Sequence, residues 1–245
     1  MNSEFFRKKL AYATAFIWAL TVSSSSFAIN FKGKVFDQEG DPNSALFSFE
    51  RTERSEGSKR IVEGKFFEVP GNQIAVHEKL TYSQGATLFE RYEFERPMSK
   101  ESAVVEIRDG KIFFTYTDNG KKEENKEKLE ENTINRDELV PFVKRNWDTL
   151  MRGEKLKSRF VLPDRAETIG FGLRKRENVT ERGIAAIRVV MFALSPFVAA
   201  VAGDTFLTFE AGGEHRLLKV EGRTPVLKRI GNAFKTLHGR IEFLY

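Results

Sequence analysis

From Asn30 to Asp118 the chain repeats one arrangement: a short run in which apolar and polar side chains alternate, followed by a cluster of turn-forming residues. Phe47 and Phe49, Phe89 and Phe94 with Tyr92 between them, and Phe113 with Tyr116 keep a period near two. That period places one set of side chains on one face of a strand, so the runs read as half-buried strands with an aromatic face. Between them stand Gly40-Asp41-Pro42-Asn43, Glu56-Gly57-Ser58, Pro70-Gly71-Asn72, Ser83-Gln84-Gly85, Asp109-Gly110 and Asp118-Asn119-Gly120, each of which is turn chemistry. The spacing is that of an antiparallel meander, with strands expected at 30–37, 45–54, 59–68, 73–82, 86–95, 102–108 and 111–117. Of 23 phenylalanines, 19 lie after residue 28 and are available to such a face.

The second half is organised differently. Lys121 to Glu131 mixes charges of both signs around one leucine and is too polar to bury a face; it reads as a solvated loop or exposed strand end. Asp137 to Gly153 carries Leu139, Phe142, Val143, Trp147, Leu150 and Met151 at helical spacings, with Pro141 assigned to the first turn and Gly153 as the stop. Strands are then expected at 155–162 and 167–175. Ile184 to Ala202 has the length of a hydropathy window, but Arg188 and Pro196 argue against a membrane span. We expect a strand at 187–194, a short helix from Pro196 to Ala202 with Ser195 as its N-cap and Gly203 as its end, and strands at 205–209, 215–221 and 240–245.

The N-terminus has Arg7-Lys8-Lys9, an apolar run from Leu10 to Val22, and small residues at Ser26 and Ala28. This is the pattern of a secretory signal peptide over residues 1–28, with Ile29 as the mature start; the run is shorter than the ~20 residues of a membrane span. Removing Glu4, Arg7, Lys8 and Lys9 takes the formal charge from +5 to +3. With acids and bases interspersed, that balance gives no nucleic-acid footprint. The chain has no cysteine, hence no disulfide framework. Residues 29–245 are long enough for one sizeable β-rich domain, and no linker or repeat divides them. The expected fold class is mainly β (α+β): a curved antiparallel sheet or half-open barrel packed against one long and one short helix.

Three local texts carry a resemblance: Asn146-Trp147-Asp148 with Arg152-Gly153-Glu154 on the helix, the strand-helix-strand series from Ile187 to Glu210, and Glu221-Gly222-Arg223 after it. They resemble an uncharacterised family of exported bacterial β-rich proteins, a domain of unknown function. In outline, a curved sheet partly closed over helices is similar to the periplasmic lipoprotein-carrier fold of LolA and LolB. These texts are packing and turn signatures and imply no activity.

Catalytic texts are wanting. His77, His215 and His238 are scattered without a metal-ligand spacing, and Ser195 lacks the G-x-S-x-G elbow. Acidic pairs of the glycosidase kind fall on alternating strands with most members toward solvent, Asn178-Val179-Thr180 fits a glycosylation acceptor, and Arg174-Lys175-Arg176 reads as a solvated strand end. No catalytic residue, metal or cofactor is therefore assigned. Two functional readings remain beside an enzyme of unknown class. One is a periplasmic binding or carrier domain for an apolar, lipid-like ligand, with an unnamed envelope partner. The other is a small outer-membrane β-barrel, suggested by the alternation and by Ile241, Phe243 and Tyr245 at the end. For the carrier, the expected ligand-binding residues are Phe192, Leu194, Phe197, Val198, Val201, Phe206, Phe209 and Trp147.

Overall fold

The computed structural model describes residues 30–245, with backbone only at 201 and 202. The expected signal peptide, residues 1–28, and its cleavage site lie outside the described residues. Strands β1 (Phe31–Asp37), β2 (Ala45–Glu56), β3 (Lys59–Glu68), β4 (Ile74–Ser83), β5 (Arg91–Arg96), β6 (Glu101–Arg108), β7 (Lys111–Asp118) and β8 (Lys121–Lys128) follow one another as antiparallel neighbours. β9 (Thr133–Ile134) leads into helices α1 (Arg136–Arg145) and α2 (Trp147–Met151). The chain finishes with β10 (Leu156–Leu162), β11 (Glu167–Glu181), β12 (Ile184–Ala193), helix α3 (Pro196–Ala202), β13 (Thr205–Glu210), β14 (Leu217–Ile230) and β15 (Ala233–Leu244).

Among the described residues all fifteen strands form one sheet, in which the first and last strands pair: β1 runs antiparallel to β15 from Lys32↔Leu244 to Asp37↔Gly239. The sheet edges are β8 and β9, and the sheet curls until β8 meets the β10–β11 hairpin beside β9. Among the described residues no backbone ladder joins β8 to that hairpin; side chains do. Asn125 Nδ2 donates to the Ala166 carbonyl at 2.8 Å, and the Thr168 amide donates to Glu127 Oε1 at 3.1 Å. The result is a barrel-like sheet with a polar seam in place of its last ladder.

Register explains why the aromatic alternation matters. Phe243, Gly33, Phe49 and Phe66 are direct cross-strand neighbours over β15, β1, β2 and β3, so period two in each strand becomes one inward row of rings. Phe49 lies 4.5 Å from Phe66 and 6.2 Å from Phe243 between centroids, which are stacking and edge contacts of the favourable kind. Gly33 makes the row fit: a Cβ there would meet the Glu242 carbonyl at 2.9 Å. The opposite face is charged, with Lys32–Glu50, Arg54–Glu63, Lys79–Glu93 and Arg91–Glu106 paired along neighbouring strands. Arg188, which argued against a membrane span, is on that face between Glu177 and Glu221.

Several expectations need correction. The single helix 137–153 is two: Asn146 interrupts it at φ −110°, ψ 20° and its side chain bonds the Phe142 carbonyl at 2.9 Å. α1 begins one residue earlier than expected because Asn135 and Glu138 form a capping box, which puts Pro141 inside the helix and not in its first turn. The charged run 121–131 is an edge strand over Lys121–Lys128, tied by the Asn119-Gly120 turn to β7; charge on an exposed edge discourages pairing with a second chain. The strand expected at 215–221 starts at Leu217, because His215 has φ 51° in the preceding turn. It then runs on to Ile230 through a bulge at Thr224-Pro225-Val226. Proline has no amide to give a ladder, which hid this long hairpin with β15. Ser195 stands at the N-cap of α3 without a side-chain cap bond.

Candidate functional site

The inward face of the sheet and α1 enclose a cavity of about 900 Å³. Phe31, Phe49, Phe66, Leu207, Ile241 and Phe243 form its apolar wall, and its size is within the roughly 300–1,000 Å³ of small-molecule sites. Exposed lining residues fall in two places. Pro141, Lys144, Arg216 and Tyr245 are at the end where β15 finishes; Arg165, Gly203 and Arg223 are at the opposite end.

The start of α1 is fixed inside the barrel by polar contacts with β2, with β4 and with the segment between β4 and β5. The Asn135 side chain accepts from the Asp137 and Glu138 amides, and Glu138 Oε2 accepts from the Asn135 amide at 3.0 Å. Its other oxygen accepts from the Phe89 amide at 3.2 Å. Arg51 on β2 donates to Asp137 at 2.7 Å and also reaches Glu53. Tyr82 on β4 donates to Asp137 at 3.2 Å, with the Arg60 guanidinium 3.8 Å above its ring. Arg136 donates to Glu78 at 2.6 Å, and the Tyr92 hydroxyl donates to the other Glu78 oxygen. Burial raises the Tyr82 and Tyr92 hydroxyls above the usual tyrosine range, helped by Asp137 for the first and Glu78 for the second. For Arg136, burial works against the charged form, and the Glu78 charge and hydrogen bond, together with Tyr92 and Asp164, more than offset it.

At the opposite end Arg96 is buried and crosses the interior. It donates to the Pro225 carbonyl in the β14 bulge at 2.8 Å, to Glu101 at 2.9 Å and to Asp164 at 2.9 Å. One side chain therefore ties β5, the bulge and the turn between β10 and β11.

Burial lifts the Glu138 carboxyl to about 7, and this gives a pH expectation. Its folded pKa is above the unfolded value of 4.5, so the native state holds this proton more tightly. The stabilisation is complete below pH 4.5 and is lost as pH rises toward 7, a fall of about 3 kcal/mol at ~1.4 kcal/mol per unit. Asp37, Glu63, Glu90 and Glu210 are shifted down and act at lower pH. Urea unfolding at intervals across that window should show the decline in the wild type and a flatter profile in Glu138→Gln. Equal slopes would mean that Glu138 titrates normally.

Of the residues expected from sequence to bind ligand, the structure places Val198 in the cavity lining. Trp147 and Phe209 are buried against each other beside it, with ring centroids 6.0 Å apart. Phe192 and Phe206 lie on the outer face, Phe192 covering Gly172 and carrying Arg174, Phe206 carrying Arg188. Leu194 is half exposed against Gly170, and Phe197 is 89% exposed at the tip of α3. The Val201 side chain is not among those described. The aromatic wall from β15 to β3 and the ionic cluster at α1 were missed as site elements. Their signal was present: Arg51 and Glu53 continue the phase of Phe47 and Phe49, Glu78 has the phase of Val76 and Leu80, and Arg96 that of Tyr92 and Phe94. Charges in the buried phase of a strand are functional or structural nodes. Among the described residues, no group of three or more His, Asp or Glu side chains is placed to hold a metal ion, and no helix is long and apolar enough to cross a membrane.

Comparison with known proteins finds no matching family model and no match among curated proteins. Among solved structures, the chain is similar to the crystal structure of a β-barrel-like protein of the domain of unknown function DUF1849 from Brucella abortus. The TM-score is 0.50 at 8% identity, over 88% of this chain and 97% of that one. At that identity the likeness is one of fold alone, and it agrees with a barrel-like, mainly β domain of unknown function.

Proposed function

We propose that the chain is an exported binding or carrier domain that holds an apolar, lipid-like molecule inside its barrel, and that it works in the periplasm. The observation that carries this is the cavity of about 900 Å³ walled by in-register aromatic rings. A core of this size without an occupant leaves apolar surface without contacts, whereas an alkyl chain supplies them. The periplasmic location rests on the N-terminal pattern of residues 1–28. The outline similarity to lipoprotein carriers points to the same class of ligand. The alternative, an outer-membrane barrel, needs an apolar band about 25 Å tall on the outer wall. The paired charges along the outer face of β1 to β6 speak against such a band.

Val220 tests the proposal, since it faces the cavity between Leu207 and Ile241 in the cross-strand row. Val220→Trp should abolish saturable binding of a fluorescent fatty-acid probe and leave the thermal midpoint near that of the wild type. If the space is packed core, the indole overpacks it at about 1 to 3 kcal/mol. Loss of stability in the variant, together with no probe binding by the wild type, would remove the carrier reading.

A further inference from the structure

We infer that Arg136 receives an anionic headgroup inside the cavity, so that the ligand is an amphiphile bearing a carboxylate or a phosphate monoester on an apolar chain. This rests on the carrier reading and adds to it the chemistry of the ligand's polar end.

Arg136 breaks a local rule. It occupies the first helical position of α1, where the helix dipole favours negative charge; Asp137 and Glu138 beside it follow the rule. Such a departure is expected at a functional position.

Its surroundings are unusual for an arginine. It lies in the interior of the fold, paired with a Glu78 side chain that is 6% exposed, yet 40% of its own side-chain surface is open. The open surface belongs to the cavity lining. One terminal nitrogen, Nη1, is taken by Glu78. Among the described residues, Nε and Nη2 have no hydrogen-bond partner. Arg96, the buried guanidinium at the opposite end of the lining, differs: all three of its nitrogens are occupied by Pro225, Glu101 and Asp164. The guanidinium fork carries five donors and accepts an oxyanion edge-on, so Arg136 can keep Glu78 and still take a second anion.

Gly64, the cross-strand partner of Glu78, lines the same cavity as the Glu78–Arg136 pair. A Cβ there would already touch Phe49 at 3.4 Å and Glu78 at 3.6 Å, so glycine keeps that part of the lining free of a further side chain. The lining as a whole carries nine basic side chains against six acidic ones, which favours an anion over a cation. Apolar walls lower the local dielectric and strengthen such a contact.

The test compares dodecanoate, dodecyl phosphate and dodecanol, three ligands with one chain and different heads, by isothermal titration of the protein recovered from its host. The wild type should bind one or both anions about ten- to hundredfold more tightly than the alcohol, the usual worth of a hydrogen bond to a charged group. Whichever anion gains more identifies the source of the negative group. Arg136→Met alone strands Glu78, so the double variant Glu78→Gln, Arg136→Met removes both charges together. It should bind all three with the affinity of the alcohol. Equal affinities in the wild type would overturn the headgroup inference while leaving the carrier reading in place. An anion preference that survives in the double variant would remove Arg136 as its receptor. No binding of any of the three would sink the carrier reading itself.

Discussion

Arg96→Met is expected to lower the unfolding free energy by about 3 to 5 kcal/mol, the cost of breaking a buried ion pair by removing one partner. The Arg96 side chain is 8% exposed, and its partners Glu101 and Asp164 are mostly buried too. Methionine fills similar volume over the Phe94 ring, which the guanidinium now covers at 4.8 Å. It leaves the Pro225 carbonyl without its donor and Asp164 without its cation. The comparison that isolates the charge is a double-mutant cycle with Asp164→Asn, in which contacting residues couple by about 0.5 to 3 kcal/mol. Urea unfolding checks both numbers. An Arg96→Met variant within about 0.5 kcal/mol of the wild type, the range of ordinary surface substitutions, would show that the node does not hold this end of the barrel together.

Trp147→Ala is expected to cost a similar amount, about 3 to 5 kcal/mol for a large buried aromatic. The indole is 8% exposed, stacks on the His215 ring at 3.9 Å and 18°, and meets Phe209 edge-on at 6.0 Å. It is therefore the contact by which α2 grips the β13–β14 turn, and its loss should free the helical cover at that end. In a chain beginning at Ile29 it is the sole tryptophan, so its emission reports this site alone. The emission should be blue-shifted and poorly quenched by acrylamide. Red-shifted, readily quenched emission would mean that α2 does not seat there.

The first seven strands were legible because their alternation, their turns and their antiparallel pairing are all local. Asn119-Gly120 and Asp109-Gly110 supply the positive φ angles that tight hairpins demand, and the strands follow. The pairing of β1 with β15 was not legible, since no local pattern states that the two ends of a chain meet. The late hairpin hid behind Pro225, which reads as a break and proves to be a bulge that reaches Arg96. The site was misplaced for a related reason. The stretch from Phe192 to Phe209 is dense in apolar side chains, but its phase divides it between two faces, with Leu207 inward and Phe206 outward. Apolar density in sequence is thus not apolar density in space; phase across neighbouring strands decides which rings share a cavity. The same phase, followed through Arg51, Glu78 and Arg96, shows charge turned inward from the sequence itself. No pattern in single strands states that α1 would arrive to neutralise part of it.

The central claim is that the barrel interior is a ligand site. Native mass spectrometry of the protein released from its host by osmotic shock and purified without detergent tests it most directly. The account predicts a chain counted from Ile29 carrying one non-covalent adduct, of the mass of an anionic amphiphile, that departs on denaturation. The same bare mass in native and denatured spectra, with no adduct gained when dodecanoate is supplied, would contradict it.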